Sequence, residues 1–208
     1  KKFEKIKILE NLDWKTLELI EANKNYLPGL QLLQDTQRVY PENEFFSHIL
    51  GYVNKPSKND LILPYISKMP KLNIGQQGIE KYFNKILVGK PGNKEVEVNA
   101  LGRIIREISM KPSVKGQNIT LSLDIDLQKF LSKQLLKHRA GSIVLIDINN
   151  GELLGMSSSP NFDANLIIKK PNQKYWDGLL NNPLSPLTDR SIQGLYSPGS
   201  TFKMIVAI

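Results

Sequence analysis

One stretch constrains the fold of this chain more than any other. Ser142-Ile-Val-Leu-Ile-Asp147 and Glu152-Leu-Leu-Gly-Met-Ser157 flank Asn149-Asn150-Gly151. Two apolar runs of strand length on either side of Asn and Gly, which tolerate the positive φ angles of a tight turn, predict a β-hairpin. Just before it, Leu127, Phe130, Leu131, Leu135 and Leu136 recur on one side of a helix that Asp124 or Asp126 can cap. A hairpin beside a one-sided helix makes the fold class α+β, a mixed sheet with helices.

The rest of the chain alternates in the same way. Trp14, Leu17 and Ile20 have helical spacing behind Asn11 or Asp13 as cap, and a strand is expected before them, around Phe3, Ile6 and Ile8. Leu30 to Tyr40 is expected to be extended. A short helix covers Phe45 to Leu50, with Gly51 where a helix end needs a left-handed backbone. Residues 54–64 form a loop, and Ile79 to Leu87 a helix with Ile79, Tyr82, Phe83, Ile86 and Leu87 on one face. Residues 95–99, 103–108 and 119–123 are expected to be strands. Pro112 and Gly116 mark a domain boundary, giving regions 1–115 and 116–208. Residues 159–190, rich in Pro, Asn and Asp, predict a long surface connection, of a length that is usually functional or decorated with short helices.

Composition narrows the function. Of 208 residues 40% are hydrophobic and 23% charged, a globular balance. The net charge of +8 is spread along the chain, without a basic block or nucleic-acid motif, so a solvated basic surface is expected and no nucleic-acid partner. Without cysteine there is neither a disulfide framework nor a thiolate metal site. No run of about 20 apolar residues is present to span a membrane. The chain opens on Lys1-Lys-Phe-Glu-Lys5 and stops in the apolar pattern Met204-Ile-Val-Ala-Ile208, so it is expected to be an internal piece of a longer polypeptide.

The chemistry lies near the end, in Ser197-Pro-Gly-Ser-Thr-Phe-Lys203. A serine hydroxyl is a poor nucleophile without a base within reach. Residues three apart on a helix share a face, about 5–6 Å between Cβ atoms, so Lys203 can reach Ser200. A lysine acts as base only when neutral, a form that burial and a nearby cation favour. A serine at a helix N-terminus also meets backbone N–H groups able to hold an oxyanion. The spacing alone is close to chance. The Pro198-Gly199 turn before it and the nearly all-apolar helix after it, which should be buried, raise its weight.

That motif resembles the first active-site motif of class B penicillin-binding proteins, whose signature is Ser-x-x-Lys, Ser-x-Asn and Lys-Thr-Gly. The likeness runs along most of the chain. Leu27-Pro-Gly-Leu30, Tyr40-Pro41 and His48-Ile-Leu-Gly-Tyr-Val53 resemble the family's non-catalytic head. Gly78-Ile-Glu-Lys-Tyr82, Leu87-Val-Gly89 and Val96 to Arg103 resemble its pedestal. Leu121 to Gln128, Ile146-Asp147 with Gly151-Glu152, Ser159 to Asn165, and Asp189-Arg190 with Gln193-Gly194 resemble the start of its transpeptidase domain. Val98 to Arg106 is most similar to the penicillin-binding protein 2 branch, the elongation transpeptidases.

The resemblance implies an elongated head (about 1–72) and pedestal (about 73–115), then the N-terminal part of a transpeptidase domain. It implies a peptidoglycan D,D-transpeptidase that cross-links stem peptides during cell-wall elongation and is a penicillin target. Ser200 is the expected nucleophile and Lys203 its base, with no cofactor or metal. The implied partners are stem peptides ending in D-Ala-D-Ala, β-lactams and a RodA-type membrane glycosyltransferase. The implied location is the periplasmic face of the bacterial cytoplasmic membrane, held by an N-terminal span outside these residues. No Ser-x-Asn follows Ser200-x-x-Lys203 within these residues and no Lys-Thr-Gly occurs; both are expected beyond Ile208, so this piece alone is expected to be inactive. A β-lactamase or β-lactam sensor, or a non-catalytic interaction module, are the alternatives. The long N-terminal region argues against a free-standing β-lactamase. His48 is expected to be structural, and Arg103 and Arg106 either pair across a strand or meet an acidic group. Trp14 and Trp176 are expected to pack.

Overall fold

A computed structural model describes residues 6, 8–10, 12–33, 37–67, 72–99, 104–168 and 173–207. Residues group into two compact units, 1–37 with 94–110 and 38–93 with 111–208. The expected strand at Phe3–Ile8 and Arg103 lie largely or wholly outside the described residues.

In the first unit, α1 (Trp14–Ala22) starts where Asp13 accepts a hydrogen bond from the Thr16 N–H at 3.0 Å. That bond satisfies a donor the helix start leaves free. None of its residues is buried, and Trp14 is 86% exposed, contrary to its expected packing role. The second unit opens with α2 (Asn43–Leu50), followed by β1 (Val53–Asn54), α3 (Pro64–Ser67) and β2 (Ile74–Gly75), and β1 pairs antiparallel with β2. α2 ends at Gly51, whose φ is 74° and whose added Cβ would lie 1.9 Å from the Gln77 carbonyl oxygen. Only glycine fits there, so the helix end and the chain at Gln77 can touch.

The expected helix over 79–87 is two, α4 (Gly78–Tyr82) and α5 (Asn84–Val88), broken at Phe83. Asn84 explains the break: its side-chain oxygen accepts the Gly75 N–H at 3.0 Å, which ties the second helix start to β2. In the ribbon β3 (Asn93–Val98) and β4 (Ile104–Lys111) the strands are neighbours. No strand forms over 119–123. The Ser122 hydroxyl donates to the Leu153 carbonyl, and just after the stretch the Asp124 N–H donates to the Leu154 carbonyl.

α6 (Ile125–Leu135) has Asp124 as its cap, accepting from the Leu127 N–H at 2.8 Å. The hairpin forms as β5 (Gly141–Ile146) and β6 (Leu153–Ser159), pairing from Gly141 with Ser159 to Ile146 with Leu153, with an irregularity at Leu145/Ile146. α6 packs on it through buried Leu131 and Leu135. Gln128 is wholly buried and joins three elements: its amide donates to the Phe45 and Met156 carbonyls, and its oxygen accepts the Met156 N–H.

The stretch 159–190 departs in part from expectation. It carries two short helices, α7 (Ala164–Ile168) and α8 (Gln173–Leu180), and several of its described residues enter the core. Phe162, Ala164, Ile167 and Leu179 bury themselves against Tyr40, with Tyr52, Tyr175 and Trp176 packed around them. Its many Asn and Asp residues make contacts rather than solvent loops. Asn165 exchanges hydrogen bonds with both backbone groups of Tyr40, Asn43 donates to Asp163 and accepts from the Ala164 N–H. The last elements are α9 (Arg190–Gln193), a 3-10 turn over Gly199–Phe202 and α10 (Lys203–Val206).

Candidate active site

Ser200 sits in the 3-10 turn, and Lys203 follows directly, its N–H bonded to the Ser200 carbonyl. Pro198 and Thr201 shape the turn: the Thr201 N–H donates to the Pro198 carbonyl at 3.3 Å, and its hydroxyl donates to the same oxygen. Ser200 and Lys203 thus lie three residues apart on one tight turn, as their spacing predicts. Among the described residues, however, no hydrogen bond joins their side chains. The expectation of a buried helix here is not met. Ser197 to Ala207 is exposed throughout, with Met204 at 73% and Val206 at 74%. A serine nucleophile needs its base held and shielded from water, and this part of the chain supplies the two groups without that shield.

The approach to the turn is far better held. Asp189 is buried and caps α9, accepting from the Ser191 N–H at 3.0 Å and from the Ser191 hydroxyl. The Arg190 N–H donates to the Ser158 hydroxyl on β6 at 3.0 Å. His48, buried in α2, donates from Nε2 to the Pro186 carbonyl at 2.7 Å and meets the Phe162 ring edge-on at 5.2 Å. Burial pushes its pKa below the ordinary 6.5, against the Pro186 bond and the Asp189 charge, with Arg190 adding to the lowering. His48 is therefore a structural histidine, as expected, but its partner 138 residues away could not be found from the sequence. Nor could that of Gln77, whose amide donates to the Leu187 carbonyl at 3.0 Å.

A second cluster of charge lies along a cleft of about 370 Å³ bordered by Arg38, Tyr40, Glu80, Lys115, Ile119 and Leu121. Arg38 grips buried Glu80 in a fork, Nε at 2.5 Å and the second nitrogen at 2.9 Å, and the Tyr40 hydroxyl donates to Glu80 at 3.2 Å. Burial first, then Glu80, raises the Tyr40 pKa far above the ordinary phenol range. Arg38, Tyr40 and Glu80 partner one another, so the cluster reads as a half-buried ion pair. Arg106 pairs with Glu97 at 2.5 Å, the cross-strand option among those expected for it. Among the described residues no group of acidic, His or Cys side chains is placed to hold a metal, and no helix is long and apolar enough to cross a membrane.

Comparison with known proteins bears on what this turn belongs to. Residues 1–121, more than half of the chain, match the family described as penicillin-binding protein dimerisation domain. The chain belongs to that family. Residues 141–208, which carry Ser200 and Lys203, match the penicillin binding protein transpeptidase domain. The chain is similar to peptidoglycan D,D-transpeptidase MrdA of Escherichia coli K12, 35% identical over 214 residues covering 100% of this chain and 33% of the relative. It is 32% identical over 188 residues to peptidoglycan D,D-transpeptidase FtsI of the same organism, covering 88% of this chain and 27% of that one. Among solved structures it resembles penicillin-binding protein 2 in a complex with MreC from Helicobacter pylori, with a TM-score of 0.82 and 34% identity over 97% of this chain and 37% of the other. The chain spans about a third of the length of the curated relatives it matches.

Proposed function

We propose that the whole protein is a peptidoglycan D,D-transpeptidase of cell-wall elongation that acts through a serine acyl-enzyme. The observation that carries this is the 35% identity to MrdA across the full chain, together with Ser200 and Lys203 lying inside the transpeptidase match. The elongation branch, rather than the septal one, is favoured by the resemblance of Val98 to Arg106.

In this reading Lys203, as free amine, takes the proton from Ser200 Oγ as that oxygen attacks the carbonyl carbon of the D-Ala-D-Ala amide. The Ser200 N–H is one donor to the resulting oxyanion. Collapse breaks the C–N bond, the proton passes to the departing D-Ala amine, and an ester on Ser200 remains. The amine of a neighbouring stem peptide then attacks the ester, forms the cross-link and returns the proton to Ser200. A β-lactam acylates the same oxygen but has no leaving group that departs, so the ester persists. We assign residues 1–72 to a head, 73–115 to a pedestal and residues from 116 to the catalytic domain. The chain works at the periplasmic face of the cytoplasmic membrane. Its protein partners are a scaffold protein of the MreC kind and a RodA-type glycosyltransferase.

The test is labelling of the whole protein with fluorescent penicillin. Ser200→Ala is expected to abolish it, and Lys203→Met to slow it by about 10²–10⁴-fold, the usual worth of a positioned base. Labelling that survives Ser200→Ala would place the nucleophile elsewhere.

A further inference from the structure

Four consecutive backbone carbonyls stand just before α9, and each accepts from a side chain. Arg190 donates to Leu184 and, at 3.4 Å, to Ser185. His48 takes Pro186 at 2.7 Å and Gln77 takes Leu187 at 3.0 Å. Pro186 is buried and Leu184 and Leu187 are half-buried, so their carbonyls need partners that water would supply at the surface. Here Ser185 is also held at a φ of 38°, a left-handed conformation that a serine keeps only when its surroundings enforce it. With Asp189 capping α9 and Ser158 receiving the Arg190 N–H, residues 184–193 form one fixed block on β6.

Two of the four clamps come from far away in the chain. His48 and Gln77 both lie in the dimerisation-domain match, whereas Pro186 and Leu187 lie in the transpeptidase match. They stand on different elements, α2 and the residue preceding α4. The two are themselves locked together, since Gly51 at the end of α2 meets the Gln77 carbonyl so closely that no Cβ fits. Two donors on one rigid support fix both the position and the rotation of the peptide planes they hold. Beyond the block the support stops: Leu195 is fully exposed, and Tyr196 to Ser200 is exposed as well. Within these residues the block is the last fixed point before the serine.

We propose that His48 and Gln77 are positioning residues for Ser200, holding the 186–187 backbone so that the turn carrying the nucleophile starts from a set place. The inference rests on the reading of Ser200 as the acylated residue. It makes the dimerisation region part of the active-site scaffold, because it reaches through two hydrogen bonds to the strand of chain that delivers the serine. Small displacements of a nucleophile are costly to rate even when the fold survives.

The experiment follows acylation of the whole protein by fluorescent penicillin at a series of concentrations, alongside thermal melting. Gln77→Met keeps the side-chain length but cannot donate. It is expected to lower the limiting acylation rate by about three- to tenfold, the worth of one hydrogen bond, with the half-saturating concentration and the melting midpoint little changed. His48→Gln, which can still donate to Pro186, should retain a larger fraction of the rate than His48→Leu when both are compared at equal folded fraction. A Gln77→Met protein that acylates like the wild type overturns the proposal. So does a loss that only follows the unfolded fraction, or one seen only in the half-saturating concentration. A wild-type protein not labelled at Ser200 is a different result: it refutes the transpeptidase reading itself, and the positioning role falls with it.

Discussion

The β3–β4 ribbon and the β5–β6 ribbon are each two paired strands, and they are stabilised in opposite ways. Ile105, Ile108 and Met110 on β4 are all more than 60% exposed, and the ribbon is laced by the cross-strand pairs Lys94–Glu107 and Arg106–Glu97. Exposed pairs contribute little, since water and salt screen them. An isolated two-stranded ribbon is marginal without a packed face. β5–β6 has such a face. α6 lies on β6, Leu131 and Leu135 are buried there, the Ser132 and Ser157 hydroxyls meet at 2.8 Å, and Gln128 binds both the Met156 N–H and carbonyl. Strand pairing alone does not separate these ribbons; what lies on the sheet face does.

The sharpest way to break the contrast is Leu131→Ala. A buried leucine truncated to alanine costs about 2–5 kcal/mol, and urea unfolding of the second unit should show a loss in that range. The matching truncation Ile108→Ala on the open ribbon should stay within about 0.5 kcal/mol. A large effect at Ile108 would mean that the ribbon has a covered face in solution. Next in size is Asn165→Ala, which strips both backbone groups of Tyr40 of their partner. It should cost about 1–3 kcal/mol, as buried polar groups left unpaired do. A smaller, pH-dependent loss comes from His48. Its folded pKa lies below 6.5, so the unfolded chain binds the proton more readily. Its contribution to stability is therefore complete above the unfolded value and is lost as pH falls below 6.5. The groups that face it, Asp189 and Arg190, act in opposite directions and are secondary to burial. His48→Gln should flatten that part of the melting-temperature profile between pH 7 and pH 5, and an unchanged slope would assign it to other groups. Smallest is Lys94→Ala, expected to cost under about 1 kcal/mol, and less in high salt.

How much of this was legible in the sequence divides along the same line. Features set within a few residues could be read. Asp13 and Asp124 cap helices, Gly51 closes one, and Asn149-Asn150-Gly151 turns the hairpin. The single turn that carries Ser200 and Lys203 is likewise local, since three-residue spacing and the Pro198-Gly199 pair set it. Features set by distant partners could not. The break at Phe83 depends on Asn84 reaching Gly75, and residues 119–123 alternate like a strand but lack a ladder to join. The stretch 159–190 has the composition of a loop because its Asn and Asp side chains replace a regular ladder, binding groups 120 or more residues away, namely the Asn43 side-chain amide and the Tyr40 backbone. The exposed helix after Ser200 is apolar in sequence, yet nothing within these residues covers it.

The pairing of Tyr40 with Asn165 has a consequence for synthesis. The two are 125 residues apart, so Tyr40, Asn43 and His48 leave the ribosome well over a hundred residues before their partners exist. At about 5–20 residues per second, that is a wait of several seconds with an apolar patch unclosed. Late closure of this kind is slow to reach by chance encounter and is the stage at which such a chain is open to aggregation. The order of translation is thus built into the fold: the hairpin and its helix can form as they emerge, while the N-terminal part of the second unit must remain ready for a partner that arrives last.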